Sequence, residues 1–282
     1  MLTFSHSGKI GDILYSLHYV YESTMHQNPY GLCNFNINTG KAPAHFTAGS
    51  HDYEPMMTMK DALFVAPLLE ALPFINKVTI DDEPDDAIPL DAFRAMTQLN
   101  QSGGDIRDWY YQLDNEYLPR NFAEKLIDVK PDPSTFSYRD QVLVCVTERY
   151  KNPFVNFSVL QSYFDNITFI GTQKEFDIFS KEAFAANGII PDPQDSLLTV
   201  AKLMARAKGF IGNQSGFYAL AEMMKIPRIL IPADWVLVDG ADDGKLHAEY
   251  GGKTTLPIGG WCCTASSTER MVCMARALLE LR

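Results

Sequence analysis

The sequence predicts an α/β protein made of two Rossmann-like halves that face a cleft. Three observations predict it. Short β-branched runs alternate with stretches of helical spacing along the chain, the pattern of a parallel sheet covered on both faces. The opening unit, MLTFSHSGKIGDILYSLHYV, passes from strand to helix through a loop that holds Gly8 and Gly11. The segment VKPDPST (129–135) has two prolines and no core pattern, so it reads as a linker between domains 1–134 and 135–282.

In the first half, residues 1–4 read as a strand, and Ile13, Leu14, Leu17, Val20 and Tyr21 share one face of the helix that follows. LCNFNIN (32–38) reads as a strand, 39–60 as irregular, PLLEALPFINKVTI (67–80) as helix, turn and strand, and the region near 115–128 as a helix. In the second half, VLVCV (142–146) is a buried strand, 156–164 is helical, ITFIG (167–171) is a strand and 173–186 a helix. Leu197, Val200, Ala201 and Met204 have helical spacing; KGFIG (208–212), a helix from about 216 and RILIP (228–232) complete the alternation. A last amphipathic helix, about 267–281, could pack back on the first half.

Composition narrows the function classes. The 282 residues are 46% apolar and 21% charged, as in ordinary globular chains. No apolar run approaches the ~20 residues of a membrane span, and the N-terminus lacks a charged-then-apolar signal pattern, so the cytoplasm is expected. The net charge of -11 argues against tight non-specific binding to nucleic acid or anionic membrane. Five cysteines, an odd number without framework spacing, fit reduced thiols. Cys262, Cys263 and Cys273 with His247 could be imagined as a zinc site, but no CxxC pair is present, and buried or inert thiols are expected. Asp85–Asp86 and Asp242–Asp243 read as exposed loop charges, not as a DxD-type metal pair.

Four segments at the carboxyl ends of strands carry candidate chemistry, because ligands of open α/β sheets bind there. Asp12 stands at a helix start beside the loop residues His6, Gly8, Lys9 and Gly11, which would face an acceptor or phosphates; the alternative is a tight turn with Asp12 as N-cap. That loop, SHSGKIGD, is neither GxxxxGK[ST] nor GxGxxG. Thr147, Arg149 and Lys151 offer a hydroxyl and two cations to a pyrophosphate, or form a solvated charged loop. Asn213, Gln214, Ser215 and Gly216 open a helix whose N–H groups could take an anion, or are ordinary caps. Gly171, Thr172 and Glu175 place an acid where it could hold ribose hydroxyls, or simply oppose the helix dipole.

Taken together, these segments resemble the heptosyltransferase-like glycosyltransferases (glycosyltransferase family 9 and relatives), of GT-B fold. SGKIGDILYSLHY resembles the family's opening loop and helix, and PLLEALPFINKV its helix-turn-strand. Thr147 with Lys151 matches a phosphate contact, Gly171 with Glu175 a nucleotide contact, and Ile211 to Ala221 a glycine-asparagine-acid-serine-glycine segment. Departures are Gln214 where the family has Asp, Ala219 where it has His, and His18 where it has Pro. The resemblance implies metal-independent transfer of a sugar, with inversion, from a nucleotide diphosphate donor, and Asp12 as general base. No cofactor is implied beyond the donor as co-substrate. The acceptor hydroxyl could belong to a glycan, such as a lipopolysaccharide sugar, or to a hydroxymethylated DNA base. A non-catalytic nucleotide-sugar-binding protein, motivated by Gln214 and Ala219, and a sugar-nucleotide epimerase are the alternatives.

Overall fold

Alternating apolar residues build two separate parallel sheets. In the computed structural model, the described residues are 1–41, 56–95, 106–113, 118–133, 139–183, 187–189, 195–231, 262–264 and 267–276. The first sheet has strands β1 (Leu2–His6), β2 (Cys33–Ile37), β3 (Ile75–Ile80) and β4 (Ile88–Pro89), in the order β3-β2-β1-β4. The second has β5 (Val142–Cys145), β6 (Ile167–Ile170), β7 (Asn187–Ile189), β8 (Gly209–Gly212), β9 (Arg228–Leu230) and β10 (Cys262–Thr264), in the order β10-β9-β8-β5-β6-β7. Read from β7, that is the doubly wound order 3-2-1-4-5-6, and the first sheet is its 3-2-1-4 part.

The helices are α1 (Ile10–Gln27), α2 (Met59–Glu70), α3 (Ile106–Tyr110), α4 (Gln173–Ala183), α5 (Leu197–Met204), α6 (Gly216–Met223) and α7 (Thr268–Ala275). Successive residues of the second sheet enter different cores. Leu143, Cys145, Phe210 and Leu230 face the first half, while Val142, Val144, Ile211 and Ile229 face the other way. This period of two is what a sheet covered on both faces requires. Met271 and Ala275 of α7 belong to the outer cluster, with Val142 and Phe157. The sequence allowed this last helix to return to the first half; its described turns cover the second sheet instead.

The halves meet through their helices. α1 packs against α6 and α2 against α5, so one continuous core runs from Phe4 and Phe35 to Phe210 and Leu230. This explains why α1 is buried almost all round, Ser16, His18, Tyr19, Ser23 and Thr24 included. Two of its buried hydroxyls find partners inside the helix: Ser16 donates to the Ile13 carbonyl at 2.7 Å and Thr24 to that of Val20 at 2.6 Å.

A charge cluster sits in this shared layer. Arg107 of α3 donates to Glu222 Oε1 of α6 at 2.8 Å, Lys225 Nζ reaches the same oxygen at 2.6 Å, and Arg228 meets Oε2. Glu222 and Arg228 are 0% exposed and Arg107 1%. The Arg107 guanidinium also lies 4.1 Å over the Phe122 ring. Burial, reinforced by Arg107 and Lys225, drives the His18 pKa down to about 2, so its ring is a neutral core group packed edge-on against Phe122.

The region near 115–128 is not helical over its described residues 118–128. It runs as a strap over the end of α6. Leu126 and Ile127 both donate to the Met223 carbonyl, at 3.2 and 3.3 Å, and the Phe122 carbonyl accepts from Lys225 Nζ. Pro119 and these tertiary partners override the local helical pattern. The 156–164 stretch forms a 3-10 helix at Phe157–Ser162; α4 covers Gln173–Ala183, and 184–186 lie outside the described residues. The two- and three-residue strands β4, β7 and β10 and the five-residue α3 were too short to stand out as patterns.

Truncating Glu222 would leave buried cations without their shared carboxylate. Glu222→Ala is expected to cost about 3–5 kcal/mol, read as a fall in the urea midpoint at neutral pH. A loss below ~1 kcal/mol would show that the cluster contributes little.

Candidate active site

Each sheet reverses its strand order at one place, and a crevice opens there. In the first sheet this lies between β1 and β4; in the second, between β5 and β8. The loops that leave these strands hold His6 to Asp12, Asp91, Thr147 and Asn213 to Gly216. The two crevices meet where the starts of α1 and α6 come together backbone to backbone. A Cβ on Gly11 would stand 3.8 Å from Gly216 Cα, and one on Gly216 would meet Ile10 Cγ2 at 3.3 Å. Two helix N-termini, each with outward N–H groups, therefore share one place.

On the first side, Asp12 is not the N-cap. Lys9 is, and Asp12 at the third helical position accepts the Lys9 N–H through Oδ2 at 3.1 Å. Lys9 is exposed and Asp12 half-buried. His6 ends β1 with no exposed surface. Its Nδ1 lies 2.9 Å from the Gly8 nitrogen and 2.7 Å from Asp91 Oδ1, and its Nε2 lies 3.2 Å from the Tyr110 hydroxyl. Tyr110 donates in turn to the Asp12 carbonyl at 2.9 Å. Asp91 Oδ2 accepts from both the amide and the hydroxyl of Ser7, at 2.6 Å each. Burial by itself would raise the Asp91 carboxyl, but the His6 ring and the Ser7 donors outweigh it and hold the group well below the usual carboxylate range. Gly8 is squeezed between these parts: a Cβ there would stand 2.6 Å from His6 Cε1 and 2.8 Å from Asp12 Oδ2.

On the second side, Asn213 ties the ends of β5 and β8 together. Its Oδ1 accepts from the Thr147 amide at 2.9 Å and the Thr147 hydroxyl at 3.1 Å, and its Nδ2 donates to the Thr147 carbonyl at 2.7 Å. Asn213 is thus a clamp, buried and committed to Thr147. Ser215 caps α6 by accepting the Tyr218 N–H at 3.1 Å, and Gln214 beside it is buried. At the end of β6, Thr172 donates to Glu175 Oε2 through its amide at 3.0 Å and its hydroxyl at 2.8 Å. This is a second capping pair, and Gly171 lies against it: a Cβ on Gly171 would reach Glu175 Oε2 at 3.2 Å. Lys151 and Glu175 line an open cleft with Val146, Val155, Phe157 and Phe179.

The fold therefore brings Gly11, Asp12, Ser215 and Gly216 to one point, with Thr147 held by Asn213. Lys151, Thr172 and Glu175 lie along the neighbouring cleft. The side chain of Arg149 is outside the described residues, as are the side chains of Cys262 and Cys263, His247 and Asp242–Asp243. Among the described cysteines, Cys33 and Cys145 are buried, with pKa values raised by burial to about 11 and about 12, and Cys273 is exposed. Among the described residues no group of three His, Cys, Asp or Glu could hold a metal. Sequence reasoning passed over Asp91, Ser7 and Tyr110. Recognition of the two-residue β4 would have flagged Asp91, since it follows a strand end; α3 offers no comparable signal for Tyr110.

No protein-family model matches the sequence, and no curated protein matches it. Two Rossmann-like halves whose crevices meet form the GT-B fold. The glycosyl transferase family 9 structure from Veillonella parvula DSM 2008 is similar over 100% of this chain and 98% of its own, with 10% identity and a TM-score of 0.61. The E. coli ADP-heptose lps heptosyltransferase II is similar over 100% and 99%, with 11% identity and a TM-score of 0.58. The similarity in fold falls on the family that the sequence motifs resemble.

Because the folded Asp91 carboxyl is depressed, its contribution is present above the unfolded value of ~3.9 and is lost as pH falls below it. The wild-type protein should lose about 1.4 kcal/mol per pH unit from this group in that acid range. Asp91→Asn should be less stable at neutral pH and show a shallower acid slope in urea midpoints measured from pH 5 to pH 2.5. Parallel slopes would remove Asp91 from the account.

Proposed function

We propose that this chain is an inverting glycosyltransferase that moves a sugar from a nucleotide diphosphate donor to a hydroxyl acceptor, without a metal ion. The observation that carries the reading is the meeting of the two crevices at Gly11 and Gly216, which brings the helix turn that holds Asp12 to the start of α6. In a single displacement, Asp12 takes the proton of the acceptor hydroxyl while that oxygen attacks the anomeric carbon. The bond from that carbon to the diphosphate oxygen breaks with its electron pair on the leaving group. The N–H groups at Ser215 and Gly216, with Arg149 and Lys151, meet the growing negative charge. The Lys9 N–H does not exhaust Asp12, since a carboxylate can accept several hydrogen bonds.

The nucleoside of the donor belongs in the cleft of Lys151 and Glu175, where Phe157 and Phe179 give apolar walls. The E. coli heptosyltransferase is described as an ADP-heptose enzyme, which makes ADP-heptose the first donor to try. A glycan acceptor is favoured over DNA by local charge. Asp81, Asp82, Glu83, Asp85 and Asp86 follow β3 at the same edge of the sheet as Asp12, and such a rim repels a polyanion. We place the reaction in the cytoplasm, where free thiols stay reduced. Among the described residues no helix is long and apolar enough to cross a membrane.

A second reading, a nucleotide-sugar-binding protein without activity, draws on a specific observation. Asp12 and Glu175 each accept the backbone N–H of the residue three before them at a helix start, and Asp61 does the same with Thr58 at α2, where no chemistry is proposed. The two readings part at Asp12→Asn. An asparagine oxygen can still accept the Lys9 N–H, so melting temperature and donor affinity should hold. Transfer should fall about 10²–10⁴-fold if Asp12 is the base. The assay is release of free nucleotide diphosphate from a panel of nucleotide diphosphate sugars, in EDTA. No release by the wild type from a donor that binds would select the binding protein. An isomerised donor would select an epimerase.

Lys151→Ala tests the donor side. A charge-assisted contact is worth about 1.5–3 kcal/mol, so titration should show donor affinity weakened roughly 10- to 150-fold. Unchanged affinity would move the diphosphate away from Lys151.

A further inference from the structure

A proton inventory of the buried groups behind Asp12 gives them a direction. Tyr110 has one hydroxyl proton, and a carbonyl can only accept, so the 2.9 Å contact to the Asp12 carbonyl uses that proton. Toward His6 the phenol oxygen must then accept, and the His6 Nε2 carries the hydrogen across their 3.2 Å contact. This holds whichever group faces Nδ1. A bare Nδ1 takes the Gly8 N–H at 2.9 Å, and a protonated Nδ1 faces Asp91 Oδ1 at 2.7 Å. At the far end, Ser7 fixes Asp91 through two donors. Every side chain in the series is buried, and three separate elements supply them: the end of β1, the turn after β4 and α3.

We propose that Asp91, His6 and Tyr110 are positioning residues for Asp12: a buried carboxylate–imidazole–phenol chain that ends on the Asp12 carbonyl and sets where the candidate base stands. The inference rests on the transferase reading for its catalytic consequence. Helix starts fray because their first N–H groups lack partners within the helix. The tether at Asp12 works against this at the turn that presents the carboxylate, and Gly8, with no room for a Cβ, keeps the imidazole close behind it. Displacement of a reacting group by about 1 Å can cost roughly 10²-fold in rate, so a loosened turn should be visible in turnover.

Tyr110→Phe removes the link and keeps the ring. Two measurements on the full chain read the result. Amide hydrogen exchange of residues 10–16 should quicken with the melting temperature nearly unchanged. Turnover of whichever panel sugar is active, ADP-heptose first, should fall roughly 10- to 100-fold while the KM for donor stays within about twofold. In an Asp12→Asn background the same substitution should change turnover by no more than about twofold, because residues that act through one group are not additive. An equal loss in both backgrounds, unchanged turnover or unchanged exchange each overturns the proposal. If the wild type turns over no donor, the transferase reading fails and the catalytic consequence with it, while exchange still decides whether the chain holds the Asp12 turn. If Tyr110→Phe does not fold, Ser7→Ala, which removes one Asp91 donor, replaces it: faster exchange at 10–16 supports the chain and unchanged exchange overturns it.

Discussion

The approach of α1 to α6 is the constraint on which the rest of this structure depends. Gly11 and Gly216 let the two helix starts stand backbone to backbone, and from that contact the helices run together into a common core. The contact does two things at once. It joins two sheets that share no strand, and it brings both topological crevices to one point. A helix that belongs to one Rossmann-like half normally shows one polar face; α1 has almost none, because its second face is covered by the other half.

Further along the same seam, the Glu222 cluster meets a different requirement. Three cations converge on one carboxylate where water is excluded, and such an arrangement is tolerable only when the partners are placed well. Apolar side chains would seal the seam with less desolvation cost. Charges make its alignment specific, since a shifted helix would strand a buried ion. Phe122 and the strap that follows it close the cluster, and His18 fits beside it only as a neutral ring. This also accounts for a buried His18 in the middle of α1.

At the candidate site, structural and chemical roles fall on the same residues. Asp12 and Glu175 hold helix starts, and each is also the acid that the family resemblance assigns to chemistry or nucleotide binding. Capping fixes a carboxylate in one rotamer beside a helix N-terminus, which is the preorganisation that a base or a ribose contact needs. Asn213 has a structural part. Its side chain bonds the amide, hydroxyl and carbonyl of Thr147 and so holds the β5 and β8 loops in register.

The α/β alternation, the two halves and most of the longer elements could be read from the chain alone, because apolar period and glycine-bearing strand ends are local properties. VLVCV, ITFIG, KGFIG and the helices at Ile10, Leu197 and Gly216 are examples. So was the position of Asp12 at a strand-to-helix passage. Its role as the third helical residue was not, since capping depends on which residue first takes helical backbone angles. The strap at 118–128, the short β4 and α3, the Asn213 clamp and the Asp91–His6–Tyr110 chain were decided by tertiary structure. Each joins residues far apart in sequence, such as His6 to Asp91 and Arg107 to Glu222, and no local pattern records such a partner. Burial of a charge or an imidazole becomes favourable only once the fold has brought its partner to it, so that information exists in the packing and not in the order of residues.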